Sequence, residues 1–465
     1  MAKTTKPKTT DDIKTFDFTA KDAWKRPFRN AKKLLWGEGG KSILGLLTMA
    51  LTARALGVED FGALAIITTT LAILTQFVTF SSWQLVLRYG ADAIKEGNSH
   101  AYRHIVGFAL GLEVLASIVG ACLLMNFDFL VVKFFNLPDE VTHLLPWMGG
   151  LLVFTSISGI ADGTLRLTDR FNAISTLNVA PKALKLLLVI YLFMNGYGLN
   201  AFILIMFISS GFSCLLRLTV AAYYMQEDIK KLDAEAKEKV VKPWQKGKLF
   251  SPQQGAWKFA FGLYTDSCLG MGTQQLGTLF LGALMGPVGA GFYRIAEKIS
   301  TAVASPVNKL MLPAVFTDMA WLNSTKDYAA TRRMVFKLGG DMGGAALVAL
   351  IVLVFIGKPL ITIVAGADYT HAYGTMLILV LNIVMWSTTF TLYPLIMTSG
   401  QVRYIVYGRS VMFITYVGLM FPLIQRYEIE GAAWAAVISS GIATVISAYG
   451  AYKYAGLGLE KPKKA

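Results

Sequence analysis

The sequence predicts an all-α polytopic membrane protein, with twelve transmembrane helices in two six-helix lobes around a central cavity. Three observations predict this fold class. Of the 465 residues, 54% are hydrophobic and only 16% are charged, whereas average protein composition includes about 25% charged residues. Apolar segments of bilayer-spanning length recur along the whole chain. Lys and Arg concentrate in every second connection between these segments, as the positive-inside rule requires.

Twelve apolar segments are each long enough to cross a membrane. In chain order they cover 38–56, 61–86, 102–126, 144–166, 173–195, 200–224, 255–283, 288–316, 333–357, 372–398, 403–425 and 430–454. The first 35 residues are polar and basic and lack the apolar core of a cleavable signal peptide. We therefore expect the first span to act as its own insertion signal.

Basic residues predict the orientation of these spans. With the N-terminus placed in the cytoplasm, 34 Lys and Arg fall on the inside, and only Lys133, Lys358 and Arg426 fall on the outside. This asymmetry predicts that both termini are cytoplasmic. The net charge of +15 is therefore explained by membrane topology, and we predict no nucleic-acid partner.

The predicted spans divide the chain into five parts. These are a basic cytoplasmic segment (1–37), an N-lobe with spans one to six (38–225), a charged cytoplasmic linker (226–254), a C-lobe with spans seven to twelve (255–456) and a cytoplasmic tail (457–465). Residues 24–35 place an apolar face amid Lys and Arg, which is typical of a helix on an anionic leaflet. A disordered basic tail is the alternative.

The two predicted lobes carry a faint internal repeat. At an offset of 229 residues, Gly57 aligns with Gly286 and Gly62 aligns with Gly291. Both copies have the same orientation, which predicts a pseudo-twofold axis along the membrane normal. Transporters built from such repeats bind their substrate between the halves, near the membrane midplane.

Eleven ionisable residues within the predicted spans are singled out as candidate site residues. Each is costly in the bilayer, so it is expected to face a cavity, pair with another charge or extend to the interface. The bases are Arg54, Lys182, Lys185, Arg217, Arg294, Lys298 and Lys309, and the acids are Glu113, Asp266, Glu297 and Asp341. The excess of bases predicts an anionic ligand in a water-filled cavity, bound by these seven basic residues.

Span eight shows the clearest pattern. At about 100° per residue, Arg294, Lys298 and Lys309 fall within one third of the helix circumference, and Ile and Val occupy the rest. This stripe is predicted to face water or other helices. The alternative is a set of ion pairs, for example between Glu297 and Arg294, but it leaves Lys298 and Lys309 unexplained.

Span five places Lys182 and Lys185 on one face, with Lys182 about 15 Å from the cytoplasmic end of the helix. An extended side chain barely reaches the interface from that depth, which favours a cavity-facing position. Arg217 lies closer to the cytoplasmic end, so extension to the interface is the favoured alternative for it. The four acids are predicted to be salt-bridge partners, or proton carriers if a cavity desolvates them.

Neither the histidines nor the cysteines form a ligand pattern, so we predict no metal site, no catalytic group and no cofactor. The four histidines are His100, His104, His143 and His371, and the three cysteines are Cys122, Cys214 and Cys268.

Two segments carry a family resemblance. Residues 51–98, which open with "LTARALGVEDFG", and residues 293–316, "YRIAEKISTAVASPVNKLMLPAVF", resemble the starts of the two halves of bacterial oligosaccharide flippases. These are the lipopolysaccharide O-antigen exporters of the polysaccharide-exporter family, in the multidrug/oligosaccharidyl-lipid/polysaccharide superfamily. One departure is Val58, where the family often has Pro; Pro287 fills the equivalent place in the second copy.

The resemblance implies a function in lipopolysaccharide biosynthesis. The protein would carry an undecaprenyl-pyrophosphate-linked oligosaccharide from the cytoplasmic to the periplasmic leaflet of the bacterial inner membrane by alternating access. It implies a cation-rich lumen that maps onto Arg294, Lys298, Lys309, Lys182 and Lys185. The expected partners are membrane lipid and other polysaccharide-assembly proteins, and a monomer is favoured.

Two other functions compete with this one. A multidrug or cation exporter of the same superfamily should have a net acidic lumen, but the candidate residues singled out within the spans are seven bases and four acids. A membrane-bound polysaccharide polymerase or glycosyltransferase usually needs a large outside loop or an acidic metal motif. The sequence shows neither, so we predict a transporter and not an enzyme.

Overall fold

The computed structural model describes residues 25–80, 82–135, 145–236, 256–304, 328–399 and 402–454, with the isolated positions 315, 316, 319 and 322. These residues are helical apart from short connections, which confirms the all-α class. The predicted tail 457–465 and most of the linker 226–254 lie outside them. Helix α1 begins at Lys25, within the segment predicted to be a surface helix or a disordered tail.

Apolar runs without helix-breaking clusters produce long helices. They are α1 (Lys25–Val78), α2 (Trp83–Lys95), α3 (Ser99–Phe135), α4 (Leu145–Leu167), α5 (Phe171–Asn195), α6 (Leu199–Ala236), α7 (Ala256–Ala304), α8 (Tyr328–Val364), a 3-10 helix (Ala367–His371), α9 (Ala372–Thr389), α10 (Leu392–Thr398) and α11 (Val402–Tyr454).

Eight helices within the described residues are long and apolar enough to cross a membrane. Three of the long helices contain an internal break, at Gly57 in α1, Gly286 in α7 and Glu428 in α11. Each break falls where the sequence predicts a turn between consecutive spans. The count of twelve spans and the division into two lobes stay predictions.

The glycines of the internal repeat have matching geometry. Gly57 has φ 71° and ψ −176°, and Gly286 has φ 73° and ψ −170°. Residues other than glycine rarely adopt a backbone conformation with such a positive φ. Five residues after each break, a glycine allows close packing between the helices. A Cβ on Gly62 would lie 1.8 Å from the Pro287 carbonyl oxygen, and one on Gly291 would lie 2.9 Å from that of Val58.

The core is shared between α1 and the second half of the chain. Ala53 and Phe61 of α1 are buried in one apolar cluster with residues of α7, α8, α9 and α11. A second cluster joins Ile66 and Ile67 of α1 to α3, α4, α5 and α6, together with Ala290 of α7. Helices α1 and α7 therefore form the central contact of the molecule.

Polar contacts tie α1 to the second half at the Gly57 break, and together we call them the Gly57 contact. The Tyr369 hydroxyl lies 2.8 Å from the Gly57 carbonyl oxygen and 3.2 Å from that of Ala53. The Arg54 guanidinium donates to the carbonyl oxygens of Thr362 and Ile363 at the C-terminal end of α8. Such terminal carbonyls have no partner within their own helix, and a cation there complements the helix dipole.

A second tie, the Phe77 contact, lies at the other end of the same span. The Tyr264 hydroxyl of α7 donates to the carbonyl oxygen of Phe77 at 2.7 Å, and its ring stacks on Phe80 at 5.0 Å between centroids. Gly57 and Phe77 are separated by about 30 Å of helix, roughly the thickness of the bilayer core.

Candidate functional site

A cavity of about 440 Å³ lies where α1, α5 and α7 meet, with Met206 of α6 at its side. Each helix contributes one face, because its lining residues recur at intervals of three or four. The lining residues include Lys41, Gly45, Thr48, Thr52, Phe61, Leu64, Ala65 and Thr68 of α1, Lys182 and Lys185 of α5, and Arg294, Lys298, Thr301 and Ala302 of α7.

The lining of this cavity is strongly basic. Four of the bases proposed from the sequence line it, namely Lys182 and Lys185 from the first half of the chain and Arg294 and Lys298 from the second. Lys41 is a fifth base, and among the described residues that line the cavity none is acidic. Cations in a partly desolvated cavity create a strong attraction for an anion.

Lys41 is a cavity residue that sequence reasoning missed, because it was counted with the basic N-terminal tail. Helical spacing was the available signal. Gly45, Thr48 and Thr52 follow Lys41 at intervals of four, seven and eleven residues, which places all four on one face of α1. The structure shows this face lining the cavity.

Arg294 is already paired. Its Nη1 atom donates to Oε2 of Glu297 at 2.8 Å, and only 15% and 17% of the two side chains are exposed. This is the ion pair that the sequence offered as an alternative. It reduces the net charge at Arg294 without removing the side chain from the cavity.

Lys182 and Lys185 differ from Arg294 in their ion pairing. Among the residues that the structure describes, no carboxylate lies within 4 Å of either ammonium group. Both side chains are half-buried, so water solvates them only in part. An anion that enters the cavity would therefore meet two cations on α5 that have no carboxylate partner there.

The threonines of the cavity present acceptor atoms. The hydroxyls of Thr48, Thr52, Thr68 and Thr301 each donate to the carbonyl oxygen four residues earlier in their own helix, at 2.7–2.8 Å. A hydroxyl whose hydrogen is used in this way keeps lone pairs for an external donor. The cavity thus combines cationic donors with neutral oxygen acceptors.

Two bases proposed from the sequence have other partners and are not among the residues that line the cavity. Arg54 takes part in the Gly57 contact. Arg217 pairs with Asp162 of α4, and its Nη2 atom donates to the Leu177 carbonyl oxygen at 3.1 Å and to Asn178 Oδ1 at 2.8 Å. These contacts account for Arg217 as a link between α4, α5 and α6.

The proposed acids also separate by position. Glu113 is buried and accepts hydrogen bonds from the backbone N–H groups of Ser82 at 2.9 Å and Phe80 at 3.4 Å, so it supports the chain between α1 and α2. Asp341 is exposed on α8. Lys309 and the side chain of Asp266 lie outside the described residues. Within the described part of the chain, no group of three or more His, Cys, Asp or Glu residues could hold a metal ion.

Comparison with known proteins places this geometry in context. A family model described as "Polysaccharide biosynthesis protein" matches residues 28–316. The chain is 26% identical over 373 residues to "Inner membrane protein YghQ" of Escherichia coli strain K12, which covers 76% of this chain and 96% of that protein.

Solved structures share the fold at low sequence identity. An inward-facing multidrug resistance MATE family transporter of the MOP superfamily superposes with a TM-score of 0.69 at 13% identity, covering 88% of this chain and 92% of its own. The lipid II flippase MurJ superposes with a TM-score of 0.64 at 13% identity, covering 90% and 87%. With the family match spanning more than half of its residues, this chain belongs to the polysaccharide biosynthesis protein family.

Proposed function

We propose that the protein is a flippase that carries an undecaprenyl-pyrophosphate-linked oligosaccharide from the cytoplasmic to the periplasmic leaflet of a bacterial inner membrane. One observation carries the proposal, namely that five basic side chains from both halves of the chain line a single cavity. Family membership supports a role in polysaccharide synthesis.

The chemistry of the cavity suits such a substrate. Lys41, Lys182, Lys185, Arg294 and Lys298 supply charge-assisted hydrogen bonds, which are the strongest that a pyrophosphate can accept. The threonine oxygens accept hydrogen bonds from sugar hydroxyls. A cavity of about 440 Å³ is within the usual range for small-molecule sites. The polyprenyl tail is expected to remain in the lipid.

During alternating access, the Gly57 contact and the Phe77 contact between α1 and the second half of the chain would open in turn. With the predicted topology, the Gly57 contact lies on the periplasmic side and the Phe77 contact on the cytoplasmic side. We expect the Phe77 contact to open for loading and the Gly57 contact to open for release. The polar part of each contact is small, with four carbonyl oxygens contacted at the Gly57 contact, and one hydrogen bond and one ring stack at the Phe77 contact.

The comparisons are consistent with this class of function. The MurJ structure is described as a lipid II flippase, and YghQ is described as an inner membrane protein. The MATE fold is also used for multidrug resistance, so a cation exporter is the second candidate. The basic lining of the cavity favours an anionic substrate over a cationic drug.

Deleting the gene and measuring lipid-linked sugars by mass spectrometry tests the proposal. A lipid-linked oligosaccharide should accumulate, and wild-type protein should clear it. The Arg294→Ala, Lys298→Ala double variant should fail to clear it while remaining in the membrane, and Arg294→Lys should retain part of the activity. Lys358→Ala, outside the cavity lining, is the matched control. The absence of any accumulation, or full clearance by the double variant, would contradict the proposal.

A further inference from the structure

A second, smaller pocket lies within the last third of the chain, away from the basic cavity. Its volume is about 70 Å³, and it is enclosed by α9, α10 and two separate stretches of α11. Its polar lining consists of Trp386, Thr389, Tyr393, Arg409, Thr444 and Ser447. The proposed transport cycle does not use any of these residues.

Arg409 is held in this pocket by a contact between helices. Its guanidinium lies over the ring of Tyr393, 5.6 Å from the centroid. Two other arginines of α11 also lie over tyrosines, Arg403 over Tyr404 and Arg426 over Tyr427, but those partners are their neighbours in sequence. The Arg409 ring contact joins α11 to α10, so it orients a cation at a fixed position in the pocket.

Hydroxyl groups line the same pocket as this cation. Thr444 and Ser447 line the same pocket, and a hydroxyl can donate its hydrogen to a phosphate oxygen. The Thr389 hydroxyl also lines the pocket, but it donates to the Met385 carbonyl oxygen at 3.0 Å and is not counted as a donor. One guanidinium and the two hydroxyls of Thr444 and Ser447, in a space of about 70 Å³, match the needs of a single phosphate group. Arginine suits this ligand, because its planar fork offers two parallel donors.

Exposed apolar side chains flank the pocket. Trp386 is 46% exposed, and its indole N–H lies 3.4 Å from the Ser440 hydroxyl. Arg409 is seven residues from the start of α11 at Val402, about 10 Å along the helix. Val445, next to Thr444, is 69% exposed and offers an apolar surface for an acyl chain.

We propose that this pocket binds the phosphate of an anionic phospholipid from the leaflet at the N-terminal end of α11, with Arg409 as the principal ligand. The predicted topology makes this the cytoplasmic leaflet. The bound lipid would bridge α9, α10 and α11, and it would stabilise their packing without entering the transport path.

Mass spectrometry of intact protein–lipid complexes tests the site. Purified protein is titrated with phosphatidylglycerol, and with diacylglycerol as a phosphate-free match. Wild-type protein should retain phosphatidylglycerol preferentially. Arg409→Gln should lower this retention about tenfold, because a charge-assisted hydrogen bond is lost. Arg426→Gln is the matched control. It also removes an arginine that lies over a tyrosine ring in α11, but near the break at Glu428 and outside the pocket.

Two further measurements distinguish a lipid phosphate from inorganic phosphate and control for misfolding of the variant. A large excess of inorganic phosphate should not displace the lipid; displacement would overturn the assignment to a lipid. If Arg409→Gln unfolds, the milder Thr444→Val, Ser447→Ala double variant should still reduce retention. Equal retention by wild type and by a folded Arg409→Gln protein would overturn the proposal, as would equal losses in Arg409→Gln and Arg426→Gln.

Discussion

Lys182 and Arg294 face the same cavity but differ in what an arriving anion must displace. Arg294 already donates to Glu297 at 2.8 Å, whereas the lysines of α5 have no carboxylate within 4 Å in the described part of the chain. We therefore expect the lysines to bind the phosphate first. Arg294 contributes fully only when the anion competes with Glu297.

Glu297→Gln should tighten binding of a polyprenyl pyrophosphate, because the variant frees Arg294 from its partner. The expected gain is about fivefold in affinity, which corresponds to roughly 1 kcal/mol for a partly exposed pair. Titration calorimetry in detergent measures it directly. Glu297→Asp keeps the charge and is the control. Weaker binding by Glu297→Gln would show instead that Glu297 is needed to position Arg294.

At the scale of helices, the breaks in α1 and α7 place two glycines in reciprocal contact. Gly62 packs on the Pro287 carbonyl, and Gly291 packs on that of Val58. Sequence alignment at an offset of 229 residues pairs these same positions. The repeat thus corresponds to a symmetric crossing of α1 and α7 that requires small residues at both points.

Gly62→Ala should lower the free energy of unfolding by about 1–3 kcal/mol or more. The new methyl group would overlap a backbone oxygen, which cannot move independently of its helix. Thermal unfolding in detergent measures the loss. Gly107→Ala is the matched control, since no atom lies within 4 Å of a Cβ built there. That variant should be neutral or slightly more stable, since alanine is the better helix former. Equal stability of the two variants would contradict the close crossing.

The Gly57 and Phe77 contacts should control opposite openings of the cavity. Tyr369→Phe and Tyr264→Phe each remove one hydroxyl and keep the ring. A hydrogen bond contributes about 0.5–1.5 kcal/mol, so the ratio of the two states should change by about two- to tenfold.

Labelling of a cavity cysteine measures this shift. Thr48→Cys serves as the reporter after Cys122, Cys214 and Cys268 are replaced by Ala. A membrane-impermeant thiol reagent should reach it faster from the periplasmic side in Tyr369→Phe, and faster from the cytoplasmic side in Tyr264→Phe. Changes in the same direction for both variants would argue against two opposed gates.

At the scale of the whole molecule, the distribution of Lys and Arg predicts twelve crossings with both termini in the cytoplasm. Reporter fusions can test this count. Fusions after residues 97 and 455 should give fluorescence from a cytoplasmic fluorescent protein, and fusions after residues 197 and 366 should give alkaline phosphatase activity outside. Phosphatase activity at 97 or 455, or its absence at 197 or 366, would contradict the predicted topology.

Much of the candidate site could be predicted because helical spacing is local. Arg294 and Lys298 are four residues apart on one face, so any cavity that one of them lines is accessible to the other. Lys182 and Lys185 follow the same rule. Residue type did not distinguish Arg54 and Arg217 from these four. Depth in the span favoured extension of Arg217 to the interface, whereas the structure shows it bonded to α4 and α5. The partners of Arg54 and Arg217 are the carbonyls of α8 and a carboxylate of α4, which are distant in sequence.

The sequence by itself determined the all-α membrane class, the spacing of polar faces and the positions of the breaks at Gly57 and Gly286. These depend on composition, periodicity and backbone freedom, which are properties of short segments. The tertiary structure alone decided which basic residues share a cavity, because that depends on how α1, α5 and α7 meet. It also revealed Lys41 as a fifth base in the cavity, since only packing distinguishes a tail residue from one that lines a cavity.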